Sequence, residues 1–431
     1  MRVRMDYGKT GAEIEIPDGN LLGVLGLTHA LPLANPENAI RYALLNPIGT
    51  SSLSTLAQGS KTVCIVICDI TRPVPNSRLL PPILEILQQS GVPETGITLL
   101  IATGTHRPNL DEELSALVGP GLASRCNIVN HYCHDLDTHR FLGNSPDGIP
   151  VWLDKTYCDA ELKITVGLIE PHFMAGYSGG RKLVMPGIAA METIKRWHCP
   201  RFLESPFANN GIVENNPVHA ASLAIARMMP PDLIMDVTLD ETNRITGVFA
   251  GELEQSWLCG VDFAAQRLRA AVPAAADIVI TSSAGYPLDG TFYQAVKGMV
   301  GALPVVKKGG TIVIASACGE GIGSPEFTRT LLETEDLEAF VAHISQPEVF
   351  LPEEWQIEEL AKAVRHANIV IVTDGIDAAT VRRCFVTPAR TLEEGLQIAF
   401  ARQGADAKVI AIPRGPYVIP HVIPQPGSAS V

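Results

Sequence analysis

The sequence predicts an α/β protein: two α/β domains with largely parallel sheets and an active site in the cleft between them. Three observations carry this expectation. At 431 residues the chain exceeds what one ordinary hydrophobic core organises. Short β-branched runs alternate with helix-period segments along most of its length, the pattern of parallel strands joined by crossover helices. A small-residue stretch at 272–276 (VPAAA) then breaks the alternation, and a fresh strand-like run follows it. The expected units are 1–272, 273–405, and a terminal strand with a Pro-rich tail at 406–431.

Taken in order, residues 1–20 read as a short β-hairpin with charges throughout. That segment has no apolar stretch of the kind a signal peptide needs. Strands are predicted at 62–69, 97–103, 126–130, 162–168 and 233–239, with helices at 77–90, 111–117, 189–197 and 217–229 between them. A long amphipathic helix at 252–271 closes the first unit. The second unit offers strands at 277–282, 311–317, 368–373 and 408–413 and helices near 291–308, 326–333, 352–366 and 392–403. The Pro-rich end after Pro413 reads as extended and partly loose.

Composition narrows the function classes. With 46% hydrophobic and 18% charged residues the chain is a packed globular protein, not a disordered one. A formal charge of −13 argues against nucleic acid or an anionic membrane as partner, since either requires a basic surface. A small anionic substrate needs only a few local cations and stays open. No apolar run reaches membrane-span length. The 9 cysteines are odd in number and scattered, several within strand-like runs such as VCIVIC, which reads as reduced, buried thiols and a cytoplasmic location.

Four segments place reactive side chains directly after or near apolar strand runs, where open α/β sheets bind ligands. The first, DITRPVP (69–75), sets Asp69 and Arg72 in a proline-stiffened turn. It reads equally as a carboxylate-binding fork or as an ion pair fastening a loop. The second, TGTHRP (103–108), places His106 among small residues that let backbone approach a ligand.

The third and densest, EPHFMAGYSGGRK (170–182), carries His172, Ser178, Gly179, Arg181 and Lys182 on a glycine-rich loop suited to cradle a phosphate. It also matches the G-x-S-x-G elbow of serine hydrolases at 176–180. A serine hydrolase is a poor rival, because no strand leads straight into Ser178 and no acid–histidine pair presents itself downstream. The fourth, GYPLDGTFYQAVKG (285–298), sets Tyr293, Gln294 and Lys297 at a helix start. Gln294 and Lys297 share a face there, which by residue type alone reads as solvated. A fifth cluster, His131, Cys133, His134, Asp135, Asp137 and His139, has no defensible zinc or iron spacing and reads as a polar surface turn.

Together these segments resemble the nickel-dependent lactate racemases and their wider set of 2-hydroxy-acid racemases and epimerases. The motifs fall in the family's order and span both units, covering most of the chain. The resemblance implies that 1–272 is the cofactor-binding domain. It also implies a nickel pincer nucleotide, a pyridinium mononucleotide with two sulfur-bearing arms, made by separate cofactor-synthesis enzymes. Lys182 would hold that cofactor covalently, His198 would ligate the nickel, and Ser178, Gly179 and Arg181 would line its cradle beside Asp69. His106 and His172 correspond to the family's acid/base pair. Arg72, Gln294, Lys297 and Tyr293 correspond to its substrate-binding groups, and Trp355 is a weaker correspondence. The chain departs from some relatives at Trp197, where they place a second histidine.

The chemistry suits those parts. An ionised carboxylate makes the Cα proton of a 2-hydroxy acid very weakly acidic, so removal of hydride to give a 2-keto acid is the easier route to inversion. Two enantiomers present their hydroxyls at two positions, which calls for two bases, and histidine both takes and returns a proton near neutral pH. The expected function is therefore inversion at C2 of a small 2-hydroxy acid. A non-catalytic carrier of the cofactor is the alternative, but it has no use for two such histidines.

Overall fold

The computed structural model describes residues 1–423 other than His29 and Pro347. The last eight residues of the Pro-rich tail, 424–431, lie outside the described residues. The protein has the α/β architecture its periodicity implies, built on two six-stranded sheets.

The first sheet runs Ile245–Gly251, Leu233–Leu239, Leu162–Leu168, Val63–Cys68, Ile97–Ala102, Asn127–Asn130 from edge to edge. All neighbours are parallel except Ile245–Gly251, which turns back antiparallel on Leu233–Leu239. Its central strands are apolar on both faces, as strands covered by helices on both sides must be. From Val63–Cys68 the chain first adds strands on one side, then crosses to add Leu162–Leu168 on the other. That reversal is the topological switch point at which doubly wound sheets open a crevice.

The second sheet is wholly parallel, in the order Thr387–Ala389, Asn368–Val372, Val306–Ala315, Ala276–Ser282, Val409–Ile412, Leu21–Val24. Its last strand corrects the sequence division. Residues 1–24 were expected in the first unit, yet Leu21–Val24 pairs with Val409–Ile412, and the hairpin Arg2–Met5/Ala12–Glu15 packs its apolar face on the second sheet. The hairpin turn also reaches the site-bearing loop of that sheet, where Gly8 N donates to the buried Asp289 carboxylate at 2.6 Å. The small-residue break at 272 is itself structured: Arg269–Val272 pairs in parallel with Ile419–Val422, which returns to the junction.

Most other elements fall where the periodicity places them. Outside the predicted elements lie, among others, the strands Ile245–Gly251 and Thr387–Ala389, the helices Pro36–Leu45, Leu337–Ile344 and Ala378–Arg383, and the hairpin His139–Asn144/Pro150–Asp154. No helix among the described residues is long and apolar enough to cross a membrane.

Candidate active site

The register of the first sheet brings three loops together. Cys68 pairs with Ala102 and Ile67 with Val166, so the strands carrying DITRPVP, TGTHRP and EPHFMAGYSGGRK end side by side at the switch point. The helix Phe292–Ala302, N-capped by Thr291, closes the crevice from the second unit with its first turns. The resulting cleft has a cavity volume of about 210 Å³ and is lined by Asp69, Arg72, His106, His172, Ser178, Gly179, Lys182, His198, Tyr293, Gln294 and Lys297, all expected from sequence. At roughly 30 Å³ per water in the liquid, it has room for a small organic acid.

Asp69 and His106 form one orienting pair. The buried Asp69 carboxylate lies 2.6 Å from Nδ1 of His106, while its other oxygen accepts from Thr71 N and Oγ1 at 3.2 and 2.5 Å. Burial raises the Asp69 pKa, but the His106 and Thr71 hydrogen bonds and the Arg72 charge outweigh it, and the carboxyl sits below its usual range. An ionised carboxylate only accepts, so Nδ1 of His106 carries the proton, and Nε2 is left with a lone pair. Arg72 is held by Glu170, Nε to Oε1 3.3 Å.

His172 and Lys182 form the second pair, with Nε2 and Nζ 2.8 Å apart. Nδ1 of His172 accepts from the backbone N–H of Met174 and Ala175 at 3.3 and 3.2 Å, which leaves the ring proton on Nε2. Burial and then the Lys182 charge push His172 well below the ordinary histidine range. Burial, then Arg181, Arg72 and Lys297, do the same to Lys182. Both groups are thus pushed toward their neutral forms, and an amine in its neutral form is a nucleophile.

His198 caps the C-terminus of the helix Met191–Trp197. Its ring lies between two indoles, 4.1 Å from Trp197 and 4.7 Å from Trp355 by ring centroids. Both its ring nitrogens are buried without a partner, and burial, then Lys182, holds its pKa well down. A buried neutral imidazole with bare nitrogens beside the cleft is a ready metal ligand.

The second unit brings Lys297, lowered to about 7 by burial and then by Arg72, with Nζ 5.8 Å from the Phe173 ring. The face it shares with Gln294 is a cleft wall, not the solvated surface that residue type alone suggested. Gln294 Oε1 is buried without a partner, and the Tyr293 hydroxyl accepts from Trp355 Nε1 at 3.1 Å.

Two residues of the glycine-rich loop act on the loop itself. The Ser178 hydroxyl donates to Leu168 O at 2.6 Å and accepts from Glu170 N at 2.9 Å, so it is tied to backbone. It follows the two-residue strand Gly176–Tyr177, which pairs with Pro171–His172 and not with the main sheet, so the hydrolase elbow is absent. Arg181 does not line the cleft as expected. It turns inward, nearly fully buried, with Nη2 donating to Ala175 O and Tyr177 O at 2.8 and 3.0 Å and its guanidinium 4.1 Å from the Trp257 ring. Gly179 has φ +75, and a Cβ there would meet Asp236 Oδ1 at 2.8 Å. The same Asp236 carboxylate accepts from Gly180 N, which shapes the loop.

Sequence reading missed Gln356, which lines the cleft and donates to Tyr293 O at 2.5 Å, and the part Glu170 plays in holding Arg72. It also misread the fifth cluster: His131 and His139 are buried, not part of a surface turn.

Comparison with known proteins shows the family. Residues 7–211 match the lactate racemase N-terminal domain and residues 272–420 the lactate racemase C-terminal domain. The lactate racemase of Thermoanaerobacterium thermosaccharolyticum is 35% identical over 421 residues, 97% of this chain and 98% of that one. The lactate racemase of Lactiplantibacillus plantarum is 36% identical over 423 residues, 97% and 99% of the two chains. The solved apoprotein of the Thermoanaerobacterium enzyme superposes with a TM-score of 0.92, covering 98% of this chain and 100% of that one. A Thermotoga maritima protein, 18% identical with a TM-score of 0.68 over 92% of this chain and 100% of its own, shares the fold. The chain belongs to the lactate racemase family and is an isomerase of the racemase class.

Proposed function

We propose that this racemase inverts C2 of a small 2-hydroxy acid, lactate or a relative, by transient hydride transfer, with a nickel pincer nucleotide resident in the cleft. One observation carries the reading. Two histidines, on loops following the strands that flank Val63–Cys68, enter a single cavity with Lys182, His198 and the cations Arg72 and Lys297.

The residues present fit such a cofactor. His198 offers partnerless imidazole nitrogens for nickel, and Lys182, pushed by burial toward its nucleophilic neutral form, offers an amine for covalent attachment. Gly179 lines the cavity through its backbone, held close against Asp236. When bound, the group supplies a hydride acceptor beside the substrate carbon.

The chain's own groups do the rest. Arg72 and Lys297 hold the substrate carboxylate, the first as a planar fork, the second as a point charge. His106, oriented by Asp69, takes or returns the hydroxyl proton of one enantiomer at Nε2. With Lys182 consumed by attachment, Nε2 of His172 is free to face the hydroxyl of the other. To take a proton there the ring must first move its own proton to Nδ1, giving up the bonds from Met174 N and Ala175 N. The 2-keto acid formed in between is planar at C2 and accepts hydride on either face. The indoles of Trp197 and Trp355 exclude water around His198.

The proposed partners are the 2-hydroxy acid and the cofactor-synthesis enzymes that mature the protein. The test is to produce the chain beside those enzymes, incubate it with lactate, malate, 2-hydroxyglutarate, phenyllactate and an aldonic acid, and follow each by chiral chromatography. Inversion of at least one acid is expected. A matured, cofactor-bearing protein that inverts none would be a carrier.

A further inference from the structure

The buried cluster at 131–139 has the make-up of a metal site separate from the cleft. His131, His139 and Asp154 each offer a ligand atom, all within 4.8 Å of one another, and none of the three lines the catalytic cavity. The two imidazole rings meet edge to face at 4.9 Å, and the three residues are 1%, 2% and 4% exposed.

Their hydrogen bonds leave one imidazole nitrogen without a partner and set another against a carboxylate. Nε2 of His131 lies 3.0 Å from Ala189 O, and only an N–H can face a carbonyl oxygen, so the proton sits there. The other nitrogen, Nδ1, faces Asp154 Oδ2, 3.2 Å away. In His139, Nδ1 lies 2.8 Å from Asp135 O and carries the proton, and Nε2 is buried with no partner. Asp154 spends its other oxygen on Thr156 N at 2.8 Å, at the start of the helix Lys155–Asp159. Two imidazoles anchored through one N–H to backbone carbonyls, with His139 Nε2 bare and His131 Nδ1 turned to a carboxylate, match the way proteins orient histidine ligands.

We propose that His131 Nδ1, His139 Nε2 and Asp154 Oδ2 bind one divalent ion of the zinc type, with water in the fourth position. Nitrogen and carboxylate donors at about 2.0–2.2 Å suit such an ion. A tetrahedron of that size sets donors about 3.4 Å apart. The His131–Asp154 separation already matches, and binding draws His139 in. The role is bracing. Asp154 N donates to Ile188 O, Ala190 N to Trp152 O and Met191 N to Cys133 O. The ion thus fastens the loop and hairpin on which the helix ending at His198 rests.

The test uses full-length protein made in a host without the cofactor-synthesis enzymes, as wild type and as His198→Ala, which lacks the nickel ligand of the cleft. Zinc is measured by plasma mass spectrometry after dialysis, and Co²⁺ is titrated by visible absorbance. One ion per chain is expected in both proteins, and none in His139→Asn or His131→Asn. Added zinc should raise the wild-type Tm by at least about 3 °C, reversibly with chelator. Wild type that takes up neither zinc nor cobalt, with its Tm unmoved, overturns the proposal even if the variants fail to fold. So does uptake that persists in both histidine variants.

Discussion

Replacing Asp69 by asparagine exchanges one oxygen for an NH2 group and keeps the side chain's shape. The structure dictates which way the amide turns. One carboxylate oxygen accepts from Thr71 N and Oγ1, and only the amide oxygen can take that place. The new NH2 must then face His106 Nδ1, at the position now 2.6 Å away. An amide NH2 only donates, so Nδ1 must give up its proton, and the ring proton moves to Nε2. His106 then presents an N–H where the mechanism needs a lone pair. The expected loss of kcat is that of a positioned general base, about 10²–10⁴, or about 2.7–5.5 kcal/mol. His106→Ala should lose a similar amount, and the double variant should be no worse than the poorer single, because the pair acts as a unit. Initial rates by chiral chromatography from each enantiomer, with circular dichroism confirming the fold, give the comparison. An Asp69→Asn enzyme within about threefold of wild type would refute the orienting role of the carboxylate.

Other outcomes follow from the same geometry. Intact-mass spectrometry of protein matured beside the cofactor-synthesis enzymes should show a nucleotide-sized adduct that Lys182→Ala abolishes. An adduct on another lysine would contradict the assignment. His172→Ala should lose about 10²–10⁴ in turnover and keep its nickel, whereas His198→Ala should lose the nickel. Lys297, with a pKa of about 7, is charged below that pH and neutral above it, so carboxylate binding is full at low pH and lost as pH rises. KM should therefore be flat below pH 7 and climb above it by up to about tenfold per unit, and Lys297→Met should remove that climb.

What the sequence could and could not reveal follows from where each signal lies. Asp69, His106 and His172 stand just after apolar runs, and a reactive residue at the end of a buried parallel strand faces the crevice by topology alone. The motif resemblance added Lys182, His198, Tyr293, Gln294 and Lys297. By residue type alone, the Gln294–Lys297 face had looked solvated. Gln356 was invisible because it belongs to the helix Glu354–His366, where Glu354, Glu358 and Glu359 are buried too, so polar residue type does not mark the outer face. Arg181 was misplaced because a cation in a glycine-rich loop suggests an anion, whereas here it stacks on Trp257, far along the chain. The strand Leu21–Val24 joins the second sheet through Val409–Ile412, a pairing across nearly the whole chain that no local periodicity encodes. His131 and His139 looked like surface residues because their polar neighbours are exposed, and only the fold brings Asp154 beneath them.

The fate of the C2 hydrogen tests the central claim most directly, because it separates hydride transfer from proton abstraction. Substrate deuterated at C2, inverted by the matured enzyme in ordinary water, should yield product that keeps its label, since the transferred hydrogen stays in the cleft and returns to the same carbon. Unlabelled substrate in heavy water should gain almost no deuterium at C2, by mass spectrometry of the separated enantiomer. Complete exchange with solvent within one turnover would contradict the account and make His106 and His172 bases acting on the carbon itself.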